Sequence, residues 1–195
     1  MKNALIIFIR NPELGKVKTR LAATIGDQKA LDIYIHLLKH TREVALSCHC
    51  DKYVFASGPL PSTEWEGFYM EQQSAGNLGN KMSQAFELLF KKEYEKVVII
   101  GSDCLELTGN HLIQAFTELE HHDVVLGPAN DGGYYLLAMK KLHADIFSDK
   151  SWGTNSVFNQ TVRTINHLGL QMHRLENLND IDEVKDLPEH MRNLL

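Results

Sequence analysis

The stretch Lys96-Val97-Val98-Ile99-Ile100-Gly101-Ser102-Asp103-Cys104 (KVVIIGSDC) decides the fold class. Its apolar run is the strongest central-strand signal in the chain, and it ends on an acid. Outward from it, short apolar runs alternate with longer stretches of helical period, the pattern of an α/β domain. Before it stand a first strand at 4–9 (ALIIFI), a long helix at 27–46, a second strand at 52–56 (KYVFA) and a loop at 57–67. A helix at 80–90 then places Met82, Ala85, Phe86, Leu89 and Phe90 on one face. After it come a helix at 109–120, with Leu112, Ile113, Phe116 and Leu119 facing inward, and strands at 123–127 and 134–139. A helix at 154–168 runs through Val157, Phe158, Val162 and Ile165. A weak strand at 170–175 and a closing helix at 180–195, which Pro188 kinks or shortens, complete the chain. The expectation is a Rossmann-like, mainly parallel sheet with helices on both faces, in one domain over residues 1–195.

Composition bounds the partners. The 195 residues are 44% apolar and 23% charged, with a formal net charge of −5. A generally basic, nucleic-acid-binding surface is therefore not expected, and an anionic ligand must meet a local cluster of cations. Three cysteines make no disulfide framework, and Cys48 and Cys50, flanking His49, read as reduced thiols. The apolar run at 4–9 is too short for a signal-peptide core or a membrane span, so no membrane partner and a cytoplasmic location are expected.

Ligands of open α/β sheets sit beyond the carboxyl ends of strands. After the first strand comes Arg10-Asn11-Pro12-Glu13-Leu14-Gly15-Lys16-Val17-Lys18-Thr19-Arg20, with four cations in eleven residues and a helix start near Lys18 and Thr19. Helix-start amides with Arg10, Lys16, Lys18 and Arg20 would make a polyphosphate cradle around the turn at Gly15. A solvated charged turn is the alternative. It is not a Walker A loop, since Arg10 and Val17 replace its first Gly and its Ser/Thr.

Ser102 and Asp103 end the central strand. Asp103 reads as a ligand for Mg2+ or Mn2+, hard ions that need only one or two protein carboxylates. Otherwise it caps the following helix, where Thr108 and Asn110 are better placed. Asn130-Asp131-Gly132-Gly133-Tyr134-Tyr135 offers an acid, two glycines and two aromatics, or a plain hairpin turn. Asn179-Asp180-Ile181-Asp182 supplies a second metal ligand, Asp180 or Asp182, or an N-cap. Gly79 and Lys81, in a loop entering a helix, and Trp152, just ahead of one, are candidate substrate contacts. No G-x-S-x-G or G-x-G-x-x-G occurs. His36 and His40 lack the Glu of H-E-x-x-H, and His121-His122 falls at a helix end, where His suits the dipole. No histidine cluster reads as a zinc site.

In order, FIRNPELGKVKTRL (8–21), QSAGNLGNKM (73–82), VVIIGSDC (97–104) and DVVLGPANDGGYYLLAM (123–139) resemble the small bacterial GT-A-type transferases. More narrowly they resemble the group called arsenosugar-biosynthesis-associated glycosyltransferases. The K-T-R-L loop and the I-D-x-x-x-D-L ending (Ile181, Asp182, Asp186, Leu187) are also similar to phospholactate guanylyltransferases and molybdenum-cofactor nucleotidyltransferases. The resemblance implies a nucleotide-diphospho-sugar transferase fold. Asp103 would hold the metal, with Asp182 near it. Lys18 and Arg20 would bind phosphates, with Arg10 and Lys16 nearby. Asp131 and Tyr134, with Gly132, Gly133 and Trp152, would face the sugar or acceptor. Leu105 stands where the group usually has Pro, and Asn77 where it often has Asp. Three readings follow: a glycosyltransferase using a nucleotide sugar and a small acceptor, a nucleotidyltransferase using a nucleoside triphosphate, and a non-catalytic nucleotide-binding module. The basic first loop suits the second on physical grounds, the motif resemblance makes the first preferred by analogy, and, with Asp103, Lys18 and Arg20 all present, the last ranks lowest.

Overall fold

The computed structural model describes residues 2–59 and 65–192. Strand β1 (Asn3–Ile9) leads through a basic loop into α1 (Thr19–Ile25) and α2 (Asp27–Leu46), then β2 (Asp51–Ala56). Then come β3 (Tyr69–Gln72), α3 (Leu78–Lys91), β4 (Lys96–Ile100) and α4 (Gly109–Glu118). The hairpin β5 (Val124–Pro128) and β6 (Tyr134–Met139) precedes α5 (Val157–His167), β7 (Met172–Arg174) and α6 (Glu189–Arg192). Single 3-10 turns stand at Ala144–Phe147 and Val184–Asp186.

The strands form one seven-stranded sheet in the order β3-β2-β1-β4-β6-β5-β7. β1 pairs in parallel with β2 and β4, and β5 with β7, while β6 is antiparallel to both neighbours. The apolar runs read from the sequence are buried on both faces because alternate residues serve two cores. Along β1, Leu5, Ile7 and Ile9 pack with α1, α2, α4 and the C-terminal segment. Ala4 and Ile6 pack with α3, α5 and the turn at 144–147. The first residue of β4, Lys96, is buried too, and its ammonium donates to the Phe116 carbonyl at 3.0 Å and pairs with Glu120.

The reversal of β6 positions the site. The carboxyl ends of β1, β2, β4 and β5 share one edge, and β6 enters the sheet there, at Tyr134. The chain beyond β7 reaches the same edge: Leu178 N donates to Pro128 O at 3.1 Å, and Ile181 N to Asp103 O at 2.9 Å.

Several boundaries differ from the sequence reading. The closing helix expected at 180–195 is absent over its first turns. The Asp186 carboxylate accepts from the Asp182 and Glu183 amides at 3.1 and 2.8 Å, which folds a tight turn instead. After Pro188 only α6 forms, and 193–195 lie outside the described residues. Ile113 is 53% exposed rather than inward, because α4 packs through Leu112, Ala115, Phe116 and Leu119. The helix expected at 154–168 begins at Val157, after turns in which Thr154 bonds to Ser151 and Ser156. The Asn-Asp-Gly-Gly loop does join a hairpin, as its turn chemistry allows. Thr108, not Asp103, is the N-cap residue of α4, and its amide donates to His111 Nδ1 at 2.9 Å. α1 and β3 are elements that periodicity did not delimit, and part of the expected loop at 57–67 lies outside the described residues.

Phe86 is fully buried between α3 and the sheet, and its ring lies 5.8 Å from that of Phe147. Phe86→Ala should cost about 3–5 kcal/mol. Urea unfolding followed by circular dichroism checks this, and a loss below about 1 kcal/mol would mean that the second core is not packed as described.

Candidate active site

The loops at the strand ends enclose a cleft of about 1000 Å3. Among its lining residues is Lys18, the residue before α1, which holds the left-handed conformation at φ 47° and ψ 46°. That geometry costs a non-glycine residue about 1–2 kcal/mol, a strain that needs surrounding structure to hold it. The holding contacts are ionic. Lys18 Nζ lies 2.9 Å from Asp103 Oδ1 and 3.2 Å from Asp182 Oδ1, with the lysine side chain only 5% exposed. Arg20 Nη1 reaches Asp182 Oδ2 at 3.4 Å from an exposed position.

Asp180 lies within the same charge field. Burial pushes its carboxyl up to about 7, and Asp103, Asp131 and Asp182 push the same way while Lys18 opposes them. Asp103, Asp180 and Asp182 thus share one charge field with Lys18. The donors are hard oxygens, the chemistry that suits Mg2+ or Mn2+. No three of these acids converge tightly enough to form a complete protein cage among the described residues. One or two carboxylates with bound phosphate and water is the arrangement that fits.

Arg10 is set by its backbone. Its amide donates to Tyr34 Oη at 2.8 Å, and the Tyr34 hydroxyl donates to the Arg10 carbonyl at 3.0 Å. Tyr34 Oη also lies 3.3 Å from Ser102 Oγ, linking the loops after β1 and β4 through α2. Burial pushes the Tyr34 phenol up to about 12, so it stays neutral. The same cause pushes the Cys104 thiol up to about 12 and leaves it unreactive. Gln73 joins the ends of β1 and β2 by donating to Ile9 O and Phe55 O, both at 3.0 Å.

A second part of the cleft is aromatic. Tyr134 and Trp152 meet edge to face at 6.4 Å, and Tyr134 Oη lies 3.9 Å from Met82 Sδ. Gly79 makes room for this wall, since a Cβ there would stand 2.6 Å from the indole and 2.7 Å from the Phe147 carbonyl. Gly132, at φ 90°, lets the loop touch the Asn155 backbone, and its carbonyl accepts from Phe158 N at 2.8 Å. Asp131 Oδ1 accepts from the Gly133 amide at 2.8 Å, which fixes the carboxylate at the exposed lip.

Most sequence-predicted residues meet here. Arg10, Lys16, Lys18, Thr19, Arg20, Lys81, Ser102, Asp103, Asp131, Gly133, Tyr134, Trp152 and Asp182 all line the cleft. Gly15, Gly79 and Gly132 do not, and act through turn geometry and packing instead. Lys16 is exposed and paired to Glu13 at 2.6 Å. Lys18 faces carboxylates within the site itself. Tyr34 was not anticipated, because a tyrosine inside an apolar helical face carries no local signal of a polar role.

A model of the family described as "Uncharacterized protein conserved in bacteria (DUF2064)" matches residues 38–154. A crystal structure from Desulfovibrio desulfuricans G20, provisionally described as a nucleotide-diphospho-sugar transferase, has a TM-score of 0.88 at 30% identity, covering 95% of this chain and 85% of that one. The 2-phospho-L-lactate guanylyltransferase of Methanocaldococcus vulcanius is 22% identical over 140 residues, 70% of this chain and 61% of that protein. The chain thus spans about three fifths of the length of that curated relative. The glucosyl-3-phosphoglycerate synthase of Mycobacterium tuberculosis, solved with Mn2+, UDP and glucosyl-3-phosphoglycerate, shares the fold at a TM-score of 0.56 and 12% identity, covering 92% of this chain and 70% of that one.

The Asp180 carboxyl gives a pH test. Folding raises it from 3.8 to about 7, so between these values the native state keeps a proton that the unfolded chain releases. Stability therefore falls as pH rises through that window, and the deficit persists above it. Asp180→Asn should raise the melting temperature near pH 8 but gain much less near pH 4, each kcal/mol being worth about 2–4 °C in a chain of this size. Equal gains at both values would show that Asp180 titrates normally.

Proposed function

The chain belongs to the bacterial DUF2064 family, and from that premise we propose that it is a metal-dependent transferase that moves a sugar from a nucleotide-activated donor to a small acceptor. Its fold and relatives are those of nucleotide-using transferases, sugar-transferring and nucleotidyl-transferring alike. One observation carries the glycosyl reading: two segments of the cleft lining are aromatic and acidic. The basic loop and the start of α3 supply every cation that lines it, whereas the segments 131–134 and 152–157 contribute Asp131, Tyr134, Trp152 and Val157 and no Lys or Arg. A phosphorylated acceptor against those segments would meet a carboxylate and apolar rings. A sugar ring would set its apolar face on an aromatic side chain and its hydroxyls on the carboxylate.

In this reading Arg10 and Lys81 receive the donor diphosphate. Both line the cleft, and among the described residues neither side chain has a hydrogen-bond or ion-pair partner. Lys18 holds the Asp103 and Asp182 carboxylates in place. Asp103 with Asp180 or Asp182 would hold Mg2+ or Mn2+, which stabilises charge building on the leaving diphosphate. Asp131, fixed by the Gly133 amide, receives the proton of the attacking acceptor hydroxyl or holds a sugar hydroxyl.

A second reading, nucleotidyl transfer to a phosphorylated substrate with release of pyrophosphate, is favoured by the number of cations. Arg10, Lys16, Lys18, Arg20 and Lys81 all line the cleft, more than a diphosphate needs. The guanylyltransferase match supports it as well.

Thermal-shift titrations with nucleotide sugars and nucleoside triphosphates, with and without Mg2+ or Mn2+, separate the two. The expected result is metal-dependent stabilisation by a nucleotide sugar, lost in Asp103→Asn. Metal-dependent stabilisation by a triphosphate and by no nucleotide sugar overturns glycosyl transfer. Full retention of the response in Asp103→Asn overturns the metal assignment. Arg10→Ala and Lys81→Ala should each weaken donor binding about tenfold or more, the worth of a charge-assisted hydrogen bond. Lys81→Ala should leave the ligand-free melting temperature unchanged, since among the described residues its ammonium has no hydrogen-bond or ion-pair partner to lose.

A further inference from the structure

At the other end of the sheet from the cleft, three side chains from two elements converge. Glu118 ends α4, His122 follows one turn later, just ahead of β5, and His173 is the central residue of β7. His173 pairs with Val125, near the start of β5, whereas the cleft lies past its end. The stretch of β5 from Val125 to its end, about 10 Å, lies between the two places. None of the three residues lines the cleft.

His122 Nδ1 and His173 Nδ1 face the same oxygen, Glu118 Oε2, at 3.3 and 3.2 Å. The rings stand 5.2 Å apart, and one ligand atom from each residue falls within 4.8 Å of the others. All three side chains are about a quarter exposed, so a cation can enter and water can remain. Ligands at about 2.0–2.1 Å from a tetrahedral Zn2+ stand about 3.3 Å apart along the tetrahedron's edges. The two nitrogen-to-oxygen separations already match such edges.

We propose that Glu118, His122 and His173 form a second metal site, independent of the cleft, that takes a borderline divalent transition ion of the Zn2+ class. Two imidazole nitrogens and one carboxylate oxygen select such an ion over Mg2+ or Ca2+. Three protein ligands leave a fourth position for water. The His122 Nδ1 proton, directed at the Glu118 carbonyl 3.0 Å away in the metal-free form, gives way to the ion. The site acts as a clamp. β7 is a three-residue strand at the edge of the sheet, and the chain that leaves it carries Asp180 and Asp182 to the cleft. An ion here ties that edge strand to α4.

The test uses the full chain with its cysteines reduced, Zn2+ titrated against a chromogenic chelator, and Co2+ as a spectroscopic probe. One equivalent of Zn2+ should bind with micromolar or tighter affinity and raise the melting temperature. Co2+ should give the intense visible bands of a four-coordinate site. His122→Ala and His173→Ala should each weaken Zn2+ binding by at least about 100-fold and abolish the Co2+ bands. His122, in the turn between α4 and β5, gives a folded variant even if His173→Ala, inside a strand, does not fold. Asp103→Asn and Cys50→Ser should bind Zn2+ like the parent. Absence of saturable one-to-one binding overturns the site, leaving a pair of hydrogen-bonded histidines. Binding that survives both histidine variants, or that vanishes in Cys50→Ser, places the ion elsewhere and overturns it equally.

Discussion

The ammonium of Lys18 must be neutralised where it sits, and the rest of the cleft follows from that demand. A cation only 5% exposed and left unpaired would cost several kcal/mol, so the structure brings carboxylates to it. Asp103 comes from the end of β4 and Asp182 from the segment beyond β7. Three stretches remote in sequence are pinned to one point, and the left-handed backbone at Lys18 is held by the same bonds. The pairing also explains why an acidic chain can gather further carboxylates here. Lys18 partly offsets them, while burial first and the neighbouring carboxylates second lift Asp180.

Around that point the sheet topology sorts the chemistry. β6 runs against its neighbours, so Tyr134 enters the sheet beside the carboxyl ends of β1 and β4. Aromatic surface is thereby placed next to the acids without a second domain to deliver it. Gly79 and Gly132 lie behind this wall: one leaves space for Trp152, the other lets its loop lean on Asn155. Fold and site are coupled through close backbone approaches that any larger residue would obstruct.

Much of this was legible in the residues. The runs that became β1, β4, β5 and β6 are apolar on both faces, and a polar residue at the end of such a run stands at the edge where the cleft forms. Arg10, Asp103 and Asp131 were readable for that reason. β3 was not, because Tyr-Met-Glu-Gln is a half-buried edge strand without alternation. α1 was not delimited, because it is seven residues long and the residue before it, Lys18, offers no capping side chain. The closing helix failed because the Asp186 carboxylate bonds to the amides just ahead of it, a competition that local periodicity does not reveal. Ile113 failed for a geometric reason, since it sits at the margin of the stripe that α4 buries.

The sequence by itself determined the class of fold, the two-faced core and the inventory of site chemistry: cations after β1, an acid after β4, an acid and aromatics between β5 and β6. These are local properties, set by side-chain period and by what can terminate a buried strand. Tertiary structure alone decided the pairings. Lys18 lies on Asp103 and Asp182 rather than open to solvent, while among the described residues the Arg10 and Lys81 side chains have no hydrogen-bond or ion-pair partner. Asp180 is lifted by burial and by carboxylates gathered from other loops, and His122 meets His173 across 51 residues. Each is a matter of distance between charges or donors far apart along the chain. Such distances are set by strand order, register and the reversal of β6, which no local reading of residues contains.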